Sequence, residues 1–151
     1  SKEKQILFMR TNNIAFSYTS YQIISEQGTI LKNLIKVPKK MSYKSYLKNT
    51  IIGCLTVIVD KSKVGFFEMP DLKSSHDMAL WLLIMKRGFY AYGLNENLAK
   101  YRIVNNSNTF NKLNASIDVW NLYRNQENLS FFYSLFNFIF YVFNALKKRI
   151  L

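Results

Sequence analysis

The residues with the most chemical reach meet at one junction. His76, the chain's single histidine, adjoins Asp77 in Ser74-Ser75-His76-Asp77-Met78-Ala79-Leu80-Trp81-Leu82-Leu83-Ile84-Met85-Lys86-Arg87-Gly88. A carboxylate beside an imidazole can do general acid–base work if it reaches a substrate proton. The same two residues also suit the polar start of a buried helix, where an aspartate complements the helix dipole. Cys54, the one cysteine, lies in Ile51-Ile52-Gly53-Cys54-Leu55 and reads as a small buried hydrophobe, not a nucleophile. A single His and a single Cys are too few for a structural zinc site.

These residues need elements to hold them. Ser74 or Ser75 can cap a helix, and Gly88 suits the left-handed position after its end. Met78 to Met85 is apolar on every side, which predicts a central, buried helix too short to span a bilayer. Upstream, Leu55–Asp60 predicts a strand covered on both faces. Residues 2–12 predict a helix ended by Asn12-Asn13, and residues 14–24 predict a strand. A turn at Ser25–Gly28 and an edge strand over Thr29–Val37 follow. Ser42 caps a short predicted helix over residues 43–48. Phe89–Gly93 and Leu98–Ile103 predict short strands. A helix over about Asn111–Gln126 places Leu113, Ile117 and Trp120 on one face.

Charge narrows the partners. The 151 residues carry 21 Lys/Arg against nine Asp/Glu, a net charge of +12. That excess suits nucleic acid, an acidic lipid surface or a phosphorylated small molecule. Nucleic acid is set aside: the basic residues are mostly Lys, and no basic stripe carries base-reading or stacking groups in a known fold pattern. A hydrophobic content of 49% argues for a folded core. One cysteine forms no internal disulfide, which fits a reducing, cytoplasmic compartment. Ser1-Lys2-Glu3-Lys4 lacks both an initiating Met and the apolar core of a signal peptide, which points to processing or to a piece of a longer chain.

The last segment, Leu129–Leu146, is strongly aromatic and ends in Lys147-Lys148-Arg149. Ser130, Ser134, Asn137, Tyr141, Asn144 and Lys148 form one polar helical stripe. Such a helix can lie on an anionic membrane surface, pack on its own domain, or meet a second copy.

The order and spacing of several motifs carry a resemblance. They are Ile52-Gly53-Cys54-Leu55-Thr56-Val57-Ile58-Val59-Asp60, Met69-Pro70-Asp71, His76-Asp77-Met78-Ala79-Leu80-Trp81-Leu82, Lys86-Arg87-Gly88, Ala91-Tyr92-Gly93-Leu94 and Ala99-Lys100-Tyr101-Arg102. Together, from about Lys2 to Lys148, the chain resembles the downstream half of family 2 glycosyltransferases, and more narrowly the bacterial members that build envelope glycans. The resemblance implies an α/β, partial GT-A-like fold, with a mostly parallel sheet between helices. Residues 1–128 would form the acceptor-side part and 129–151 an appended aromatic helix. It implies inverting transfer of a sugar from a nucleotide-sugar donor to a glycan or lipid-linked acceptor. A divalent metal, magnesium or manganese, would hold the donor diphosphate in the complete enzyme, and none would be bound by this chain alone.

The family's acceptor-deprotonating aspartate maps to Asp77; His76 replaces the Glu or Gln usual before it. His76 could orient Asp77, contact acceptor, or face solvent. By the same resemblance, Trp81 could stack on an acceptor sugar or belong to the core. Thr56 and Gly53 would shape the pocket floor, Asp71 would bind acceptor or brace its loop, and Arg102 would meet phosphate or serve structure. The family's nucleotide-binding strand and Asp-x-Asp motif have no counterpart here. That implies a fragment, or half of a split enzyme that needs its missing N-terminal half. The isolated chain would be inactive, cytoplasmic, and peripheral at the inner membrane face. The alternative is a degenerate, non-catalytic scaffold that binds membrane or a partner.

Overall fold

The computed structural model describes residues 2–70, 72, 75–102 and 109–150. Helix α1 (Lys2–Asn12) ends where predicted, with Asn13 in a left-handed conformation at φ 53°, which Asn tolerates. The strand predicted over 14–24 is bent at Ser20 into β1 (Phe16–Thr19) and β2 (Tyr21–Ile24). The remaining strands are β3 (Ile30–Ile35), β4 (Lys40–Met41), β5 (Ile58–Val59), β6 (Ala91–Leu94) and β7 (Lys100–Arg102). Two sheets result, in the orders β4-β6-β1-β5 and β3-β2-β7.

Two of the pairings are parallel, β1 with β6 and β2 with β7; the other three are antiparallel. The architecture is therefore α/β with mixed sheets, not the mostly parallel sheet the resemblance implied. As expected, β3 is an edge strand. The bend at Ser20 is fastened by Asn95. Its Oδ1 accepts from Ser20 Oγ at 2.7 Å and from the Val37 N–H at 2.9 Å, and its Nδ2 donates to the Val37 carbonyl at 3.0 Å. At Gly93 a side chain would collide with the Pro38 carbonyl oxygen, which also accepts from the Tyr18 hydroxyl.

The four-stranded sheet is covered by α4 (His76–Lys86), whose Leu82 and Ile84 are fully buried with Phe16 and Ala91. Burying each such side chain is worth about 1.5–3 kcal/mol before entropy is counted. Gly88 takes φ 98° after the helix end, as its position predicted. Ser75 does not cap: it has φ 63° and its side chain makes no capping bond, while Ser74 lies outside the described residues. The short helix α2 (Tyr43–Lys48) does carry the predicted cap, with Ser42 and Ser45 exchanging hydrogen bonds as a capping box.

One expectation fails on pairing. The apolar run before Asp60 contributes only the two-residue β5, at the edge of its sheet and half-buried. Its start belongs to a 3-10 turn, Cys54–Thr56, and β5 is followed by the one-turn helix α3 (Lys61–Val64). In α5 (Thr109–Asn121), Leu113 and Ile117 are exposed. The inward face is instead Val119, continued by Leu122 and Tyr123 of a π-helical turn, Leu122–Gln126. Trp120 alone of the predicted trio is covered. Its ring meets Phe131 and Phe138 of the last helix, α6 (Phe131–Ile150), edge-on at 5.7 and 5.6 Å.

The start of α6 is tied down by Glu127, whose side chain is buried. Its Oε1 accepts from the Tyr43 hydroxyl at 2.6 Å and pairs with Lys86 Nζ at 3.0 Å, so the ends of α2 and α4 meet there. Among the described residues no helix is long and apolar enough to cross a membrane.

Candidate active site

Asp77 stands half-buried in the first turn of α4. Six of the next eight residues are buried, so the helix start is held by its packing. Two other segments converge on the carboxylate. The 3-10 turn brings Cys54, whose thiol feels the Asp77 carboxylate. Strand β7 brings Tyr101, whose hydroxyl accepts the Leu55 N–H at 2.9 Å. From below, α2 adds the buried Tyr46, which feels the Asp77 charge.

The electrostatics follow from this placement. Desolvation pushes the Cys54 thiol up, and Asp77 raises it further, although the residue is exposed. Desolvation also raises the Tyr101 hydroxyl, opposed by the Leu55 N–H and aided by Cys54 and Asp77. Burial, then Asp77, raises Tyr46 far above its ordinary range. These groups near the carboxylate thus stay neutral at neutral pH. A carboxylate can accept a hydrogen bond from an incoming hydroxyl, and Asp77 is the carboxylate of this cluster.

Gly53 and Thr56 belong to the same corner. A Cβ at Gly53 would stand 2.5 Å from the Tyr101 hydroxyl oxygen, so the glycine is what lets that ring approach. Thr56 is buried and closes the turn, its hydroxyl donating to the Gly53 carbonyl at 2.7 Å. Its own carbonyl accepts from the buried Gln5 of α1 at 2.8 Å.

The other expected site residues are placed elsewhere. Trp81 is 5% exposed and packs on Phe16, with ring centroids 5.5 Å apart. That is the core alternative, and it leaves no open ring face for a sugar. His76 Nδ1 lies 3.4 Å from the Pro70 carbonyl. Arg102 hydrogen-bonds the carbonyls of Ser25 and Glu26, bracing the turn between β2 and β3. Alternation along β7 puts it on the face opposite Tyr101, away from the Asp77 corner. Asp71 lies outside the described residues. A cleft of about 190 Å³ opens at the start of α4, between Leu72, Ser75, Asp118, Asn121 and Asn125.

Cys54 and Tyr101 are the members of the cluster that sequence reasoning missed. The apolar neighbours of Cys54 hid its exposure, and only the alternation of β7 separates Tyr101 from Arg102. Among the described residues no group of three or more His, Cys, Asp or Glu could hold a metal ion.

No protein-family model matches the chain, and no solved structure matches it significantly. Curated proteins do. The chain is similar to the C-terminal part of proteins named as glycosyltransferases. It is 45% identical over 148 residues to TuaG of Bacillus subtilis strain 168, named for teichuronic acid biosynthesis; the match covers 98% of this chain and 59% of that protein. It is 34% identical over 140 residues to WfgD of Escherichia coli, with 91% of this chain and 54% of that protein covered. WfaP, also of Escherichia coli, is 34% identical over 113 residues, or 75% and 44%. WfgD and WfaP are named as β-1,3-glucosyltransferases that use UDP-Glc and α-D-GlcNAc-diphosphoundecaprenol. The chain spans about half the length of these curated relatives.

Proposed function

We propose that the chain is the acceptor-side half of an inverting family 2, GT-A-type glycosyltransferase. The complete enzyme would transfer a sugar from a nucleotide-sugar to a hydroxyl of a glycan or lipid-linked acceptor. The observation that carries this reading is the corner around Asp77: a carboxylate fixed at a buried helix start with the neutral groups Cys54, Tyr101 and Tyr46 near it, in a chain similar to envelope glycosyltransferases.

In this reading the acceptor oxygen attacks the anomeric carbon, opposite the leaving diphosphate. The C–O bond to acceptor forms as the C–O bond to diphosphate breaks, which inverts the centre. Asp77 takes the acceptor proton. Cys54 flanks the carboxylate, and Tyr101, seated over Gly53, walls the corner. Both are positioning residues. Fixing a base and a nucleophile in reach of each other lowers the barrier without new charge. Neutralising the departing diphosphate falls to the upstream half, where we place the divalent metal. The 151 residues alone would then not turn over.

The test is Asp77→Asn in the complete enzyme, chosen because the amide keeps the shape and loses the base. Transfer should fall by about 100- to 10,000-fold, the usual contribution of a general base. Binding of the nucleotide-sugar, measured by calorimetry, should not change. Near-normal turnover in that variant sinks Asp77 as the base.

A further inference from the structure

Helix α6 is turned the wrong way round for a helix that simply covers a core. Its polar stripe faces inward: Ser134 and Asn137 are fully buried, and Asn144 Nδ2 donates to the Lys48 carbonyl at 3.0 Å. Its apolar side faces outward. Phe131, Phe132, Leu135, Phe136, Ile139, Phe140, Val142, Phe143 and Leu146 are all exposed, Phe132 at 80% and Phe143 at 66%. From Phe131 to Leu146 every exposed residue of the helix is apolar. A continuous apolar face of this size marks an interaction surface.

Charge says what covers it. Neither α6 nor α2, which packs beside it, contains an acidic residue. The apolar face gives way at its C-terminal end to Lys147. There a cleft of about 520 Å³ is lined by Lys36, Asn49, Asn144, Lys147 and Lys148. Lys48 of α2 stands 5.4 Å from the Phe136 ring, at the border of the apolar face. Apolar side chains along one side of a helix, with lysines collected at its margin and no carboxylate among them, are the chemistry of a helix lying flat in an anionic bilayer surface. A protein partner would need acidic groups at the margin of its own apolar patch. A second copy of this chain offers lysines opposite lysines.

We propose that α6 docks this protein on an anionic lipid surface, its apolar face among the acyl chains and the Lys36–Lys147–Lys148 cleft against headgroup phosphate. The helix lies in the interface and does not cross. This inference stands apart from glycosyl transfer, since it uses none of the residues around Asp77.

The experiment is flotation of the protein, as its gene encodes it, with vesicles. Vesicles of phosphatidylglycerol and phosphatidylethanolamine should carry the protein up the gradient; phosphatidylcholine vesicles should do so far less. Phe143→Glu and Ile139→Glu should each weaken binding by about tenfold or more, the transfer energy of one large apolar side chain. Lys147→Glu should weaken it by at least about fivefold, the contribution of one basic residue at such a surface. Far-UV circular dichroism and thermal midpoint check that each exposed variant folds. Three results overturn the proposal. One is equal binding to neutral vesicles. Another is a lipid-free dimer that ignores vesicles and falls to monomer in Phe143→Glu, which makes a second copy the occupant. The third is a monomer that does not float, which leaves the face to another segment of the polypeptide. Turnover on a soluble acceptor should survive Phe143→Glu, so a failed docking proposal and a failed catalytic one are told apart.

Discussion

Helices α4 and α6 are both rich in large apolar residues, and the fold treats them in opposite ways. In α4 the apolar run is buried on nearly every side, and its one acid, Asp77, stands at the mouth. In α6 most of the large apolar residues are outside, Ser134 and Asn137 are inside, and only Tyr133, Phe138 and Tyr141 of its aromatics pack partly on the core. Hydrophobicity drives burial wherever a covering surface exists, whatever that surface is. For α4 the surface is the sheet beneath it. For α6 it is not supplied by the described residues, and the polar stripe has taken the intramolecular contact. Apolar content therefore says that a helix must be covered. It does not say by what.

The largest test of this contrast is a pair of charge insertions. Ile84→Asp places a carboxylate at a position of 0% exposure. It should cost about 4 kcal/mol or more, enough to unfold a marginally stable domain. Phe143→Asp, in an equally apolar stretch of sequence, should move the thermal midpoint only slightly, by about 0.5 kcal/mol or less. Thermal denaturation of both variants decides it. If both unfold the protein, α6 is buried against something in solution and the contrast collapses.

A smaller effect sharpens the α4 side. The Cys54 thiol is raised by desolvation and by Asp77, so its thiolate should appear only above the ordinary thiol range. Iodoacetamide labelling should be slow at neutral pH despite the residue's exposure, and should speed up along a pH profile displaced upward from a cysteine peptide. Asp77→Asn should bring that profile down. The linkage has the matching sign. A raised thiol contributes stability in full below its unfolded value, and that contribution is lost as pH climbs through the folded one. A profile that Asp77→Asn leaves unmoved would separate Cys54 from the carboxylate.

The smallest effect belongs to the inner face of α6. Ser134 Oγ is buried without a hydrogen-bond partner. Ser134→Ala removes that orphaned group, so chemical denaturation should show a change between neutral and about 1 kcal/mol of stabilisation. A clear loss would mean that the hydroxyl is satisfied and that the inward polar stripe contributes real binding energy to the domain.

Much of the frame was legible beforehand, for local reasons. The Met78–Met85 run, Gly88 after it, the Ser42 cap and the stop at Asn13 all depend on a few neighbouring residues. The failures were of partnership. Leu55–Asp60 reads as a doubly covered strand because each residue is apolar, but the turn at Cys54–Thr56 leaves only Ile58 and Val59 to pair, and they pair at an edge. Leu113 and Ile117 share a helical face with Trp120, yet the face that meets the core is the one through Val119, Leu122 and Tyr123. Arg102 and Tyr101 are adjacent in a motif, and a strand's alternation sends one to a turn and the other to the candidate site.

By itself the sequence determined that this chain has a buried central helix opening on His76-Asp77, a basic surface, an aromatic final helix with a polar stripe, and kinship to envelope glycosyltransferases. These rest on composition, short-range periodicity and residue identity. Only the tertiary structure decided that Cys54, Gly53 and Tyr101 lie near Asp77, that Trp81 belongs to the core, and that the last helix turns most of its aromatics outward. Such facts depend on which surfaces meet across many residues of chain, and no local pattern encodes the partner.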